Sequence, residues 1–415
     1  MNHHRQLARL VMFGIAFAFI VSSVAQPAPT QARQRRMVYA YYFGWHTGVS
    51  WQNNTLIDQP LARYDSRETW AIERHIALAQ SAGIDAFVMS WFGEKDNNIT
   101  GAAFNILLDK AAQHGFYAAA SVDLAQDNFN STIPDVETSL HVLLDSKVQQ
   151  PAYLRYNGKP LIYFWNQGHF TVPQWQSIRE HTDPHHKAIW VMEGADTSYM
   201  AVFDGLYLFN TAWSHDNGGT STGWAGRVFG GGGVFYTPTV MPGWDESRLP
   251  GRSHPTPPQD RANGAFLYNS WAGATEAGTP SILIVSWNEF QENSYIEPSV
   301  RYGTQALDIL RPLIAAWKTG KAVPVMHFAP TVTATPSGSR PATQAAAQNA
   351  NQVTGKSLTA NTLIIVRADP KVASVRLGTI DAGKVYPIEA QNGDWYQIPF
   401  NGAHGWVNSA YVTVK

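Results

Sequence analysis

Ser281-Ile282-Leu283-Ile284-Val285-Ser286-Trp287-Asn288-Glu289-Phe290-Gln291-Glu292-Asn293-Ser294-Tyr295-Ile296-Glu297-Pro298 changes character halfway along. Its first part is an unbroken apolar run, the pattern of a strand buried on both faces. Its second part is aromatic and acidic, the pattern of a functional loop at a strand's end. Similar runs recur upstream at Val38–Trp45, Ile84–Trp91, Phe116–Asp123, Pro160–Trp165, Ala188–Glu193, Gly205–Phe209 and Val234–Val240. Amphipathic helical patterns lie between most of them, as at Glu68–Ser81, Ala102–His114, Val136–Val148 and Ala262–Ala277, and Gln305–Lys318 closes the set. Strands alternating with helices predict an α/β chain forming one (β/α)8 TIM-type barrel over 37–322. The Gly/Trp-rich segment Trp213–Gly233 reads as a functional loop.

Catalytic groups of such barrels sit at the C-terminal ends of the strands. Here those ends are polar and aromatic: Trp45-His46, Trp91, Asp123, Trp165-Asn166, Glu193, Asn210 and Trp287-Asn288. Within the opening stretch, Glu289 and Glu292 are three residues apart. In a helical turn they would share one face, with Cβ atoms about 5–6 Å apart. Two close carboxylates can be driven to different pKa values, so that one serves as acid and one as base.

Composition narrows the alternatives. A formal net charge of −1 lacks the basic excess that a nucleic-acid partner requires. With Cys 0, disulfides, thiol nucleophiles and cysteine zinc sites are excluded. Gly230–Gly233 is not followed by Lys-Ser/Thr, so it is no phosphate loop. His185-His186 lacks HExxH spacing, and no Gly-x-Ser-x-Gly elbow occurs. No metal or other cofactor is therefore expected. Trp 15 and Tyr 17 provide ample material for sugar-stacking surfaces as well as for a core.

The ends of the chain add modules. Arg5 and Arg9 precede the apolar run Leu10–Val21 and the small residues Ser23-Val24-Ala25, the pattern of a signal peptide over 1–25. That run is short of the roughly 20 residues of a comfortable membrane span, an uncleaved anchor being the alternative. The expectation is a secreted or extracytoplasmic protein with no membrane association beyond this segment. Residues 324–355 are rich in Pro, Thr, Ser, Ala and Gln and read as a flexible linker. Beyond it, 356–415 shows short alternating runs with turn signals at Asp381-Ala382-Gly383, Asn392-Gly393-Asp394 and Asn401-Gly402, a small all-β barrel.

Four stretches resemble glycoside hydrolase family 99, the endo-α-1,2-mannosidases and mannanases, within a broader 71/99-like group. They are Tyr41-Tyr42-Phe43-Gly44-Trp45, Gly83–Phe87 running into Ser90-Trp91-Phe92-Gly93, Pro242-Gly243-Trp244-Asp245, and Trp287–Glu292. The resemblance implies that Glu289 is the base and Glu292 the acid. Glu289 would deprotonate the sugar 2-hydroxyl, whose oxygen displaces the leaving group to give a 1,2-anhydro sugar opened with net retention. Two glutamates from one turn straddle a ring poorly but can reach adjacent oxygens on it, and in an α-mannoside O2 is trans to the leaving group. Tyr42, Trp45, His46, Trp91, Asp123, Trp165, Asn166, Glu193, Trp244, Asp245, Trp287, Asn288 and Glu297 are the candidate substrate-binding residues. The chain departs from the family pattern at Phe43-Gly44, where a proline is usual, and at Phe290 and Asn293, where Trp and Gly are common. Gly405-Trp406-Val407-Asn408 and the neighbouring runs resemble a bacterial SH3 domain, which implies a cell-wall ligand or a passive spacer. The partner expected for the barrel is an oligo- or polysaccharide. The alternatives are a hydrolase of another α-glycan, such as α-1,3-glucan, or a non-catalytic glycan- or wall-binding protein.

Overall fold

The computed structural model describes residues 35–95, 98–124, 129–251, 256–328, 351–352, 355–361, 364–371, 374, 376–400 and 403–415. The segment 1–25, expected as a signal peptide, and most of the expected linker 324–355 lie outside the described residues.

The apolar runs become parallel strands: β1 (Met37–Phe43), β2 (Ala86–Trp91), β3 (Tyr117–Asp123), β5 (Lys159–Trp165), β6 (Ile189–Glu193), β7 (Gly205–Tyr207), β8 (Phe235–Thr237), β9 (Thr239–Val240) and β10 (Ser281–Ile284). A two-residue strand, β4 (Arg155–Tyr156), pairs antiparallel with β5. The order β8-β7-β6-β5-β3-β2-β1-β10-β9 begins and ends on one chain segment, because only Pro238 separates β8 from β9. Proline has no N–H for the ladder, and its carbonyl accepts from Leu283 N at 3.0 Å. Pairing thus passes from β7 to β10 across this residue, and the ring closes with eight strand positions.

Helices cover the outside: α1 (Thr69–Ala82), α2 (Ile99–His114), α3 (Ile133–Asp145), α4 (Val172–Thr182), α5 (Asn217–Gly230), α6 (Ala265–Glu276) and α7 (Gln305–Thr319). After β6 a single 3-10 turn, Thr197–Ala201, stands where a helix would. Strands buried between helices and barrel interior need apolar residues on both faces, and every residue of β2 is buried. Among the described residues, no helix is long and apolar enough to cross a membrane.

The segment expected as a loop at Trp213–Gly233 contains α5. Asp216 caps it, accepting from Gly219 N at 3.0 Å. Its buried residues Gly218, Ser221, Trp224, Ala225 and Val228 recur at helical spacing. Gly273 of α6 lets α5 approach closely, since a Cβ there would stand 2.6 Å from Asn217 Cβ. Gly and Thr are weak helix formers, so tertiary packing holds this helix.

Beyond α7 the chain stays on the barrel. Val323, Met326 and Phe328 pack against its core, and the Phe328 ring lies 5.6 Å from that of Tyr268. The carboxy-terminal residues form a six-stranded and a three-stranded antiparallel sheet around Leu358, Val366, Ile380, Ile398 and Val407, a small β-barrel. A chain ended after Phe328 should unfold cooperatively in urea. One ended after Gly320 should be less stable by about 1–3 kcal/mol, the scale of burying one or two large apolar side chains.

Candidate active site

The loop after β10 is anchored before it presents its glutamates. Trp287 N donates to Tyr41 O at 2.7 Å, prolonging the seam between β10 and β1. Asn288 then mimics a strand residue with its side chain: Oδ1 accepts from Phe43 N and Nδ2 donates to Phe43 O, both at 2.8 Å. Nδ2 also donates to Tyr64 Oη at 3.0 Å, and the Asn288 carbonyl pairs with His46 Nε2 at 3.1 Å. The next residues close on themselves. Glu289 N donates to Ser286 Oγ at 2.8 Å, Ser294 N to Glu289 O at 3.3 Å and Ser286 N to Ser294 O at 2.8 Å. Buried Arg261 donates to the carbonyls of Asn293 and Tyr295 at 3.0 and 2.8 Å. The result is a tight turn with Asn293 at φ +54° rather than a helical turn. Asp245 N, donating to Glu292 O at 2.8 Å, ties in the segment after β9.

Glu289 and Glu292 line one cavity of about 250 Å³ with Asp123, Tyr41, Phe43, Trp45, Trp165, Phe209, Leu249 and Gln291. It lies at the C-terminal ends of the strands. Glu289 is 4 % exposed, and its Oε1 accepts from Gln291 N at 3.0 Å. Asp123 accepts from Ser90 Oγ at 2.7 Å. Tyr41 donates to Ser121 Oγ at 2.8 Å, and burial, aided by the Asp123 charge, keeps its hydroxyl protonated.

Of the residues singled out from sequence, the structure brings Glu289, Glu292, Trp45, Asp123 and Trp165 to this cavity. Tyr42, Trp91 and Trp287 are not on its wall. Tyr42 bonds His75 at 3.0 Å, Trp91 packs on Phe104 of α2, and Trp287 lies against Phe87 and His75. All three sit in the layer between barrel and helices, Tyr42 and Trp91 because neighbouring strand residues face opposite sides. His46, Asn288 and Glu297 are buried supports. Glu297 accepts from Tyr64 Oη at 3.0 Å, pairs with His75 Nε2 at 3.1 Å and lies 3.6 Å from Arg74. Trp244 stands edge-on behind Phe209. Asp245 caps its own turn, accepting from Ser247 N, and Asn166 is exposed at φ +60°. Glu193 lines a neighbouring cavity, and burial holds its carboxyl above the usual range. Tyr41, Phe43, Phe209, Leu249 and Gln291 complete the wall. The first two stood in the quoted Tyr-Tyr-Phe run, but nothing in the sequence fixes which of its residues face inward. Among the described residues, no group of three His, Cys, Asp or Glu could hold a metal.

A closed α/β barrel with paired carboxylates in an aromatic cavity is the architecture of a glycoside-processing protein. Residues 54–312 match glycosyl hydrolase family 99, and residues 361–413 match the bacterial SH3 domain. The chain belongs to glycosyl hydrolase family 99. It is 24% identical over 268 residues to a human glycoprotein endo-alpha-1,2-mannosidase-like protein, covering 58% of this chain and 56% of that one. It is 24% identical over 264 residues to the mouse glycoprotein endo-alpha-1,2-mannosidase, covering 58% and 56%. The matched region thus spans little more than half the length of these relatives. The endo-alpha-mannosidase of Bacteroides thetaiotaomicron superposes with a TM-score of 0.55 at 22% identity, over 64% of this chain and 88% of that one, and agrees in fold.

Burial sets one measurable property of the support shell. It lowers the His46 pKa to about 4, against the opposing pull of the Asn288 carbonyl, with His75 adding to the drop. Between that value and the ordinary 6.5 the unfolded chain binds the extra proton. Stability should therefore fall as pH drops through this window, by up to about 3 kcal/mol from this group. His46→Gln should flatten that segment of a stability-against-pH curve from urea unfolding.

Proposed function

We propose that the protein hydrolyses α-mannosidic linkages within a glycan, with retention, through a 1,2-anhydro sugar. The observation that supports this reading best is the convergence of Glu289 and Glu292, from one anchored turn, on a single cavity with Asp123 and two half-buried tryptophans. Double displacement needs carboxylates on opposite faces of the anomeric carbon. Side chains from one turn suit two adjacent oxygens instead. Glu289 takes the proton of the 2-hydroxyl as O2 attacks C1, and the glycosidic oxygen leaves with the proton of Glu292. Water then gives a proton to Glu292 and opens the epoxide at C1, while O2 recovers its proton from Glu289. Two inversions return the starting configuration, and both glutamates end as they began. Trp45 and Trp165, on the cavity wall, are the aromatic side chains placed to meet the sugar. The amino-terminal segment fits export from the cytoplasm, and the SH3-like domain fits attachment to a cell-wall ligand.

Glu289→Gln and Glu292→Gln should each lower kcat by about 10²–10⁴-fold, the usual contribution of a placed proton-transfer group, without changing the urea midpoint. A substrate carrying 2-deoxy or 2-fluoro at the cleaved residue should bind without turnover. Normal cleavage of the 2-deoxy analogue would remove the role of Glu289. Faster turnover of the matching α-glucan would move the substrate class.

A further inference from the structure

The two ends of the glutamate turn are held by different parts of the fold. The Glu289 end is fixed by the Asn288 amide against β1 and by the Ser286 hydroxyl. The other end, 292–295, is gripped from the segment between β9 and α6. There Trp244 and Gln259 exchange both backbone hydrogen bonds, at 2.9 and 2.7 Å, as an antiparallel pair does. This pairing delivers two donors to the same short stretch. Asp245 N donates to Glu292 O at 2.8 Å, and Arg261 Nη2 donates to both Asn293 O and Tyr295 O, at 3.0 and 2.8 Å. Gly243 leaves room for the arginine stem, since a Cβ there would stand 2.7 Å from Arg261 Cγ.

Two costly features meet at this arginine. The first is a buried cation that forms no ion pair among the described residues. Its charge is met by ring faces instead, Tyr295 at 4.4 Å and Tyr302 at 4.3 Å. Tyr295 is itself held, stacked on Phe290 at 4.0 Å and donating to Asp58 at 2.5 Å. The second is backbone strain. Ala262, Asn263 and Gly264 follow one another at φ +48°, +54° and +97°, and a residue with a Cβ rarely adopts the left-handed region. Such strain persists only where surrounding contacts impose it. Gln305 Nε2 donates to Asn263 Oδ1 at 3.0 Å, and Ile309 and Phe328 pack so closely over Gly264 that no Cβ would fit. Residues 261–264 belong to no strand of the barrel, so ring closure does not call for this geometry. What the strained turn and the ring sandwich together achieve is the placement of one guanidinium nitrogen on two carbonyls just past Glu292.

We propose that Arg261 is a positioning residue for Glu292: it fixes the acid's half of the turn independently of the clamp that fixes Glu289. The proposal rests on the reading of Glu292 as the acid. It is tested in the full-length protein with two substrates, an α-mannan oligosaccharide, whose leaving sugar needs a proton, and 2,4-dinitrophenyl α-mannobioside, whose leaving group does not. Arg261→Met should lower kcat/KM on the oligosaccharide by about 10²-fold, the scale of a misplaced reacting group. On the dinitrophenyl substrate it should change kcat/KM by less than about threefold, because protonation is not required there. Arg261→Lys should lose about tenfold less than Arg261→Met, since both carbonyls bond one nitrogen and an ammonium can donate to both. If Arg261→Met does not fold, Tyr302→Leu, which removes one half-buried ring face from the guanidinium, should show the same split with a loss of about tenfold. Equal losses on the two substrates, or none on either, would overturn the positioning role. Glu292→Gln separates the two claims: if it loses equally on both substrates, the acid reading fails. Carboxyl 13C NMR of labelled glutamates, assigned with the two Glu→Gln variants, then reads position without hydrolysis. A resonance of Glu292 that Arg261→Met shifts while that of Glu289 stays in place would still uphold the proposal. Both moving together, or neither, would overturn it.

Discussion

The side-chain amide of Asn288 holds the structure's functional end together. It supplies β1 with the acceptor and donor that a paired strand would give to Phe43, at the point where β10 has already ended. The barrel thereby stays sealed while the chain turns away to form the glutamate loop. Removing the amide would leave the Phe43 N–H and C=O buried without these partners, a cost of about 1–3 kcal/mol for each such group. The same residue orders a second layer, through Tyr64 to Glu297 and His75 on one side and through its carbonyl to His46 on the other. Glu289 is the next residue in the chain, so its position depends directly on this clamp.

This arrangement explains why so much polar material lies buried near the cavity without lining it. A carboxylate such as Glu297 is tolerated inside a protein only when hydrogen-bonded and paired. Its tyrosine, histidine and arginine partners meet that need and fill the space between the loop and α1. The cavity therefore has a rigid backing, and the proposed mechanism asks little reorganisation of Glu289 and Glu292.

The barrel was legible because strands buried on both faces need long apolar runs, and those at Val38, Ile84, Phe116 and Ser281 lie close to the observed strands. The helix α5 was not, because its Gly, Ser and Thr residues match no helix former's profile. The available signal was Asp216 before residues buried at helical spacing. In the site, the glutamate pair was legible from its place after the clearest strand. Facing was not: Tyr41 and Tyr42 are the same residue type, and only the closed ring decides that Tyr41 looks inward. Likewise His46, Asn288 and Glu297 have the composition of sugar ligands, and sequence cannot distinguish a polar group bonded to protein from one awaiting substrate.

The central claim is that two carboxylates from one turn act on adjacent oxygens of one sugar. Its most direct test is proton NMR of the first-formed product from an α-mannoside, recorded before mutarotation. The account predicts the α-anomer, the net result of two displacements at C1. A β-anomer as first product would mean a single displacement by water, and would contradict the shared action of Glu289 and Glu292.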